Sequence, residues 1–154
     1  MTSTFEIMIP PGTYYMGDPC YAVRDVDWHT LLHSADYFHN PVGEIHGFRV
    51  YATSTAYGDG EYIGSSGHSY PVDAGLIGLV PVEYVTQFES SDIPFPLDGM
   101  RKITITVPTL FWKNNGVIGL MGVEEIDTAG TDDEFVEEYD DLEDFDDSTD
   151  DELS

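Results

Sequence analysis

Between Glu124 and Glu152 the chain carries seventeen Asp and Glu residues and not one Lys or Arg. No packed core accommodates that density of one charge, because ionised carboxylates are almost never fully buried unless they are paired. Folding must therefore be carried by the residues that precede the run. Residues 1–123 hold 13 acids against 5 bases, a net of -8, so the chain divides into an ordinary acidic domain at 1–123 and an acidic segment at 124–154. The apolar fraction of 41%, with 13% aromatic, supplies one core at this length.

Hydropathy patterning in the first part is mostly that of strands. Phe5, Ile7 and Ile9 alternate before Pro10-Pro11-Gly12 stops the ladder. Short strands are expected at 13–16 and 20–23 around Gly17-Asp18-Pro19, where Asp18 reads as an Asx-turn residue. Asp27 is the expected N-cap of a helix whose apolar stripe is Trp28, Leu31, Leu32, Ala35 and Phe38, halted by Asn40-Pro41. Phe48, Val50 and Ala52 alternate with Arg49 and Tyr51, and Asp59-Gly60 is a primed-turn signal. Residues 74–80 are apolar on both faces and short, the pattern of a central strand with Gly75 and Gly78 marking a bend or close backbone approach. Val82 to Phe88 fits a strand or a short helix, and 90–100 reads as a loop. Ile103, Ile105 and Val107 point inward along the next strand, and Gly116 to Met121 gives a last core segment. These elements predict an α+β fold: a mainly antiparallel curled sheet or partly open barrel with one helix, followed by the acidic segment.

Pro11-Gly12-Thr13-Tyr14-Tyr15-Met16-Gly17-Asp18-Pro19-Cys20-Tyr21, Ala56-Tyr57-Gly58-Asp59-Gly60 and Val72-Asp73-Ala74-Gly75-Leu76-Ile77-Gly78-Leu79-Val80-Pro81 resemble segments of a small family of bacterial and phage proteins. The resemblance spans roughly residues 10 to 85. It implies a single small domain and a phage origin; it implies no catalytic residue, and the acidic segment lies outside it.

Chemistry-bearing side chains are sparse. Cys20, His68 and Asp73 are the residue types of a thiol nucleophile, its base and an orienter, which keeps a small Cys/His-dependent hydrolase open as an alternative. No local signature surrounds the cysteine. His29 and His33 lie one helical turn apart, but a metal site would need Asp36, Cys20 or His68 to complete it, so neither a metal nor a cofactor is expected. A single cysteine excludes an internal disulfide. The absence of a long apolar run or signal-like N-terminus leads to the expectation of a cytoplasmic protein, in the host cell if phage-encoded, without a membrane partner.

The acidic segment is the sharper clue to function. Eleven acids (Asp132, Asp133, Glu134, Glu137, Glu138, Asp140, Asp141, Glu143, Asp144, Asp146 and Asp147) fall within sixteen residues, interrupted by Phe135, Val136, Tyr139, Leu142 and Phe145. Phe135, Tyr139 and Leu142 follow helical spacing, and Thr131 with Glu134 fits a capping box. Like-charge pairs such as Asp133 with Glu137 oppose the helix in isolation, so ordering is expected only against the domain or a basic partner. As a helix, 132–147 would span about 24 Å, a length over which duplex DNA presents roughly 14 phosphates. Eleven carboxylates are of that order. The expected function is therefore inhibition by DNA mimicry: the segment occupies the nucleic-acid-binding surface of a host defence, recombination or transcription protein. The alternative is an adaptor that recruits a basic protein through Phe135, Tyr139 and Leu142. Direct binding to nucleic acid is excluded by the charge, and a homodimer through a sheet edge is compatible with the pattern. Ser148 and Thr149, before Asp150, are candidate phosphate acceptors or spacers.

Overall fold

A computed structural model describes residues 4–87 and 99–129. The fold is α+β and antiparallel, and its sheets are not closed into a barrel. A four-stranded sheet has the order β1 (Thr4–Ile9), β9 (Thr109–Asn114), β10 (Val117–Leu120), β11 (Glu124–Asp127); a five-stranded sheet has the order β3 (Val42–Ile45), β4 (Phe48–Ser54), β7 (Leu76–Pro81), β2 (Gly12–Gly17), β8 (Arg101–Ile105); and a small ribbon pairs β5 (Gly60–Ile63) with β6 (Ser69–Val72).

One long ribbon ties the two larger sheets together. Strand β1 (Thr4–Ile9) pairs with β9 (Thr109–Asn114) in the four-stranded sheet, and β2 (Gly12–Gly17) pairs with β8 (Arg101–Ile105) in the five-stranded one. Both strands leave one sheet for the other at prolines, Pro10-Pro11 and Pro108, where a ladder donor is missing. The register moves by one residue across the bend, from Ile9 opposite Thr109 to Gly12 opposite Ile105, the signature of a bulge that turns a strand pair out of its plane. The curl expected from sequence is produced at this corner.

The five-stranded sheet is buried on both faces. Strand β7 (Leu76–Pro81) runs between β4 (Phe48–Ser54) and β2, with Leu76 through Val80 all buried. Gly78 belongs there because a Cβ would sit 1.9 Å from the Tyr51 carbonyl oxygen. On β4, Val50 and Ala52 join the cluster beneath the helices, whereas Tyr51 joins the cluster between the two large sheets. One cluster packs Ile77, Leu79, Ile103 and Ile105 against Phe111, Ile118, Leu120 and Ile126; the other packs Val50, Val80 and Tyr84 against Leu31 and Ala35. Helix α1 (Asp25–Ser34) contacts β3 (Val42–Ile45), and α2 (Val82–Gln87), resolving the strand-or-helix ambiguity, contacts β2 and β7.

Several local expectations are corrected. Asp27 is not the N-cap: Arg24 holds that position without a side-chain cap bond, and Asp27 lies inside the first turn, buried. The helix ends at Ser34 rather than at Phe38, because Asp36, Tyr37 and Phe38 adopt left-handed φ values of 52°, 57° and 62°. Such residues each cost about 1–2 kcal/mol. Phe38 nevertheless reaches the core, and the turn is tied by bonds from Tyr37 N to Leu32 O at 2.7 Å and from Asn40 N to Ala35 O at 3.1 Å. Residues 20–23 are not a strand, since Pro19–Tyr21 form a 3-10 turn capped by Asp18. Asp59-Gly60 is not a hairpin turn, because β5 (Gly60–Ile63) pairs with β6 (Ser69–Val72) and not with β4. The two-residue primed turns are His46-Gly47, joining β3 to β4, and Asn115-Gly116, joining β9 to β10 (Val117–Leu120). Val107 lies beyond β8 and is exposed. Most of the expected 90–100 loop lies outside the described residues.

Candidate functional site

Asp132, Asp133, Glu134, Phe135, Glu137, Glu138, Tyr139, Asp140, Asp141, Leu142, Glu143, Asp144, Phe145, Asp146 and Asp147 lie outside the described residues. The root from which they continue is described. Strand β11 (Glu124–Asp127) pairs with β10 and forms one edge of the four-stranded sheet, so the 123/124 boundary read from charge falls inside a hairpin.

Glu124 fixes that edge. Its carboxylate is buried and accepts bonds from Tyr70 Oη at 2.5 Å, Ser66 Oγ at 2.7 Å, Ser66 N at 2.8 Å and Ser65 Oγ at 3.0 Å, with Arg101 Nη1 at 3.4 Å. Burial alone pushes the carboxyl pKa up, but the bonds from Tyr70, Ser66 and Ser65 outweigh it and hold the group at about 2. Gly64 bridges Ile126, and Ser65 N donates to Glu125 O at 2.8 Å, so the β5–β6 loop closes over this edge. Gly64 makes room for the carboxylate, which a Cβ at that position would meet at 2.5 Å.

Asp27 organises a second buried cluster at the helix end of the molecule. It accepts from Tyr84 Oη at 2.6 Å, His46 Nε2 at 2.9 Å and Arg24 Nε at 3.0 Å. Burial again works against the charge, and these bonds again prevail, lowering the carboxyl below its ordinary value. The cluster ties the start of α1 to the His46-Gly47 turn and to α2. Two of the chain's five cations, Arg24 and Arg101, thereby neutralise internal carboxylates. A third, Lys113, donates to Ser54 O at 2.8 Å.

The thiol and imidazole groups do not form a nucleophilic centre. Asp18 is fully buried and accepts from Cys20 N at 3.0 Å, Asp73 N at 2.9 Å and Ala74 N at 2.7 Å. This is the expected Asx turn, extended to hold the 73–74 loop, and burial raises the Asp18 carboxyl pKa. Burial likewise pushes the Cys20 thiol well above its ordinary value, reinforced by the Asp18 carboxylate; activation needs the opposite direction. His68 lies against the Tyr70 ring at 4.5 Å and approaches Gly99 O, not the cysteine. His29 and His33 are exposed on α1, with His33 against the Tyr37 ring, and no three metal-binding side chains converge among the described residues.

An open groove of about 710 Å³ runs along the sheet corner, lined by Tyr14, Phe48, Arg49, Tyr51, Pro81 and Glu83 among others. Its Tyr14 hydroxyl donates to Pro10 O at 2.8 Å and is pushed up to about 12 by burial, with Tyr51 and Glu83 adding to the effect. At neutral pH that hydroxyl is protonated. Among the described residues no helix is long and apolar enough to cross a membrane.

The buried carboxylates at 27 and 124 escaped the sequence reading because, Arg24 apart, their partners lie 19 to 59 residues away. Comparison with known proteins gives no match to a family model, a curated protein or a solved structure.

Proposed function

We propose that the protein is an acidic inhibitor that occupies the nucleic-acid-binding surface of a partner protein by mimicking the charge of DNA. The observation that carries this reading is the run of eleven carboxylates in 132–147, spaced by aromatic and aliphatic residues at helical intervals and free of any cation. Two features of the body favour it. Arg24 and Arg101 are engaged with buried carboxylates, so little positive charge remains to offset the field of the acidic segment. The thiol chemistry that a Cys/His-dependent hydrolase would require is opposed by the direction of the Cys20 pKa.

The mechanism is occlusion. A strong negative potential speeds encounter, carboxylates pair with the Arg and Lys groups that read phosphate, and the apolar side chains set register. No bond is made or broken. The partners that fit are host defence, recombination and transcription proteins, each of which presents a phosphate-reading surface in the compartment where DNA is handled.

The test compares the immobilised full-length protein with a full-length variant whose eleven carboxylates in 132–147 are replaced by amides. Each is exposed to host-cell lysate and then to duplex DNA. A nucleic-acid-binding protein retained only by wild type and displaced by the duplex is the expected result. A partner held equally by both forms, or indifferent to the duplex, overturns the mimic. Helical spacing of Phe135, Tyr139 and Leu142 favours a second reading, recruitment of a basic protein by an apolar anchor. Alanine at those three positions abolishes binding in that case, whereas a mimic weakens progressively with the number of carboxylates removed.

A further inference from the structure

The outer face of the four-stranded sheet is fixed by register, since residues opposite each other in antiparallel strands project to the same side. Three rows cross it. Met8 lies opposite Leu110, whose carbonyl accepts from Met121 N at 2.9 Å; Glu6 lies opposite Trp112, then Gly119, then Glu125; Thr4 lies opposite Asn114, then Val117, then Asp127. The alternate residues Ile9, Phe111, Ile118 and Ile126 face the core. Both helices pack on the other large sheet.

Three properties of this face point to a ligand. One end of it is apolar where a solvent-facing sheet is normally polar: Met8 is 57% exposed and Met121 58% exposed, beside half-buried Leu110 and Trp112. The Trp112 indole lies on Gly119, so closely that a Cβ there would come within 2.3 Å of the ring. Glycine is thus required for the indole to pack against this strand. Glu6 and Glu125, both exposed, stand on either side of the indole in the same row, and none of the three rows contains Lys or Arg.

We propose that this face is a docking surface for a basic protein, with an Arg or Lys of the partner stacked on Trp112 between Glu6 and Glu125 and an adjacent apolar side chain seated on Met8, Leu110 and Met121. An indole flanked by two carboxylates offers a cation both its quadrupole and its counter-charges, and methionines adapt to varied apolar contacts. Charge selects the occupant. A second copy would bring carboxylates against carboxylates, and an anionic lipid surface or the chain's own acidic segment would be repelled. The face also ends at β11, from which the acidic segment continues, so one basic surface can engage both. The inference deepens the proposed function and rests on its reading of a basic protein partner.

The experiment titrates ¹⁵N-labelled full-length protein with the peptide acetyl-Arg-Leu-Arg-Leu-Arg-amide at fixed ionic strength and follows the two indole N–H resonances, Trp28 and Trp112, assigned with Trp28→Phe. The expected result is saturable movement of Trp112 with Trp28 unmoved. Affinity should fall about fivefold in the exposed double variant Glu6→Gln/Glu125→Gln and by a similar factor in Trp112→Leu, with Trp112→Phe intermediate. The Trp112 response should persist in the full-length variant carrying amides throughout 132–147. Peptide binding that leaves Trp112 still and disappears in the amide variant overturns this surface while supporting the acidic segment. A Trp112 response insensitive to Glu6→Gln/Glu125→Gln, or one that appears on raising protein concentration without peptide, overturns it in favour of a purely apolar contact or a second copy.

Discussion

At Glu124, four hydrogen-bond donors from Tyr70, Ser65 and Ser66, together with the Arg101 guanidinium, converge on one buried carboxylate. Its pKa of about 2 lies below the ordinary 4.5, so the ionised form stabilises the fold. The sign follows from the depressed carboxyl: the contribution is complete above pH ~4.5 and is lost as pH falls toward 2, with a full size of about 3 kcal/mol. Glu124→Gln should therefore cost about 3 kcal/mol in urea unfolding at pH 7, with the gap from wild type about halved at pH 3. A gap that stays constant between the two pH values would show that the donors bind a neutral group. Asp18 behaves differently because burial outweighs its three backbone amide donors, raising rather than lowering its pKa. Burial raises the Cys20 thiol pKa as well.

Strand β11 is the element on which body and acidic segment meet, and it makes the choice of truncation decisive. Ending the chain at Val123 removes Glu124 and the fully buried Ile126, leaving Tyr70, Ser65, Ser66 and Arg101 without their common acceptor. Loss of a buried Ile side chain alone costs about 2–5 kcal/mol, comparable with much of the total stability of a small domain. A chain ending at Val123 should lose cooperative thermal unfolding by circular dichroism, whereas one ending at Ala129 should keep it; equal behaviour would deny β11 a structural role. This strand was hidden in the sequence because Glu124-Glu125-Ile126-Asp127 carries the composition of the acidic run, and only a pairing partner distant in sequence accounts for a buried Glu124. Strand β1 and the two-sided β7 were legible because period-two alternation and a short apolar run report local geometry directly. The Asn115-Gly116 turn is equally local, and Asp59-Gly60, chemically suited to the same turn, is not used because β5 finds its partner in β6. Trp112 escaped notice because its setting depends on register with Gly119, Glu6 and Glu125, three separate strands. For the candidate site the sequence supplied charge and spacing in 132–147, while the buried anchors arose from tertiary contacts.

For the whole molecule, the net charge of -25 acts in two directions. It repels within the chain, a cost to compactness, and it attracts a basic partner over distance. Both effects are screened together, because the Debye length contracts from about 30 Å at 0.01 M salt to about 8 Å at 0.15 M. Raising sodium chloride over that range should therefore increase the thermal midpoint of the isolated protein. The rise should be smaller in the variant with amides throughout 132–147, which has lost eleven of the thirty acids. Differential scanning fluorimetry at the two salt concentrations measures both. An equal rise in the two proteins would place the repulsion inside the body, where Asp27 and Glu124 are already compensated, and would remove the long-range field that the proposed encounter requires. A larger rise in wild type makes the acidic segment the source of that field. In that case the penalty the chain bears in isolation and the attraction it exerts on a phosphate-reading surface have one origin, and both should weaken over the same range of salt.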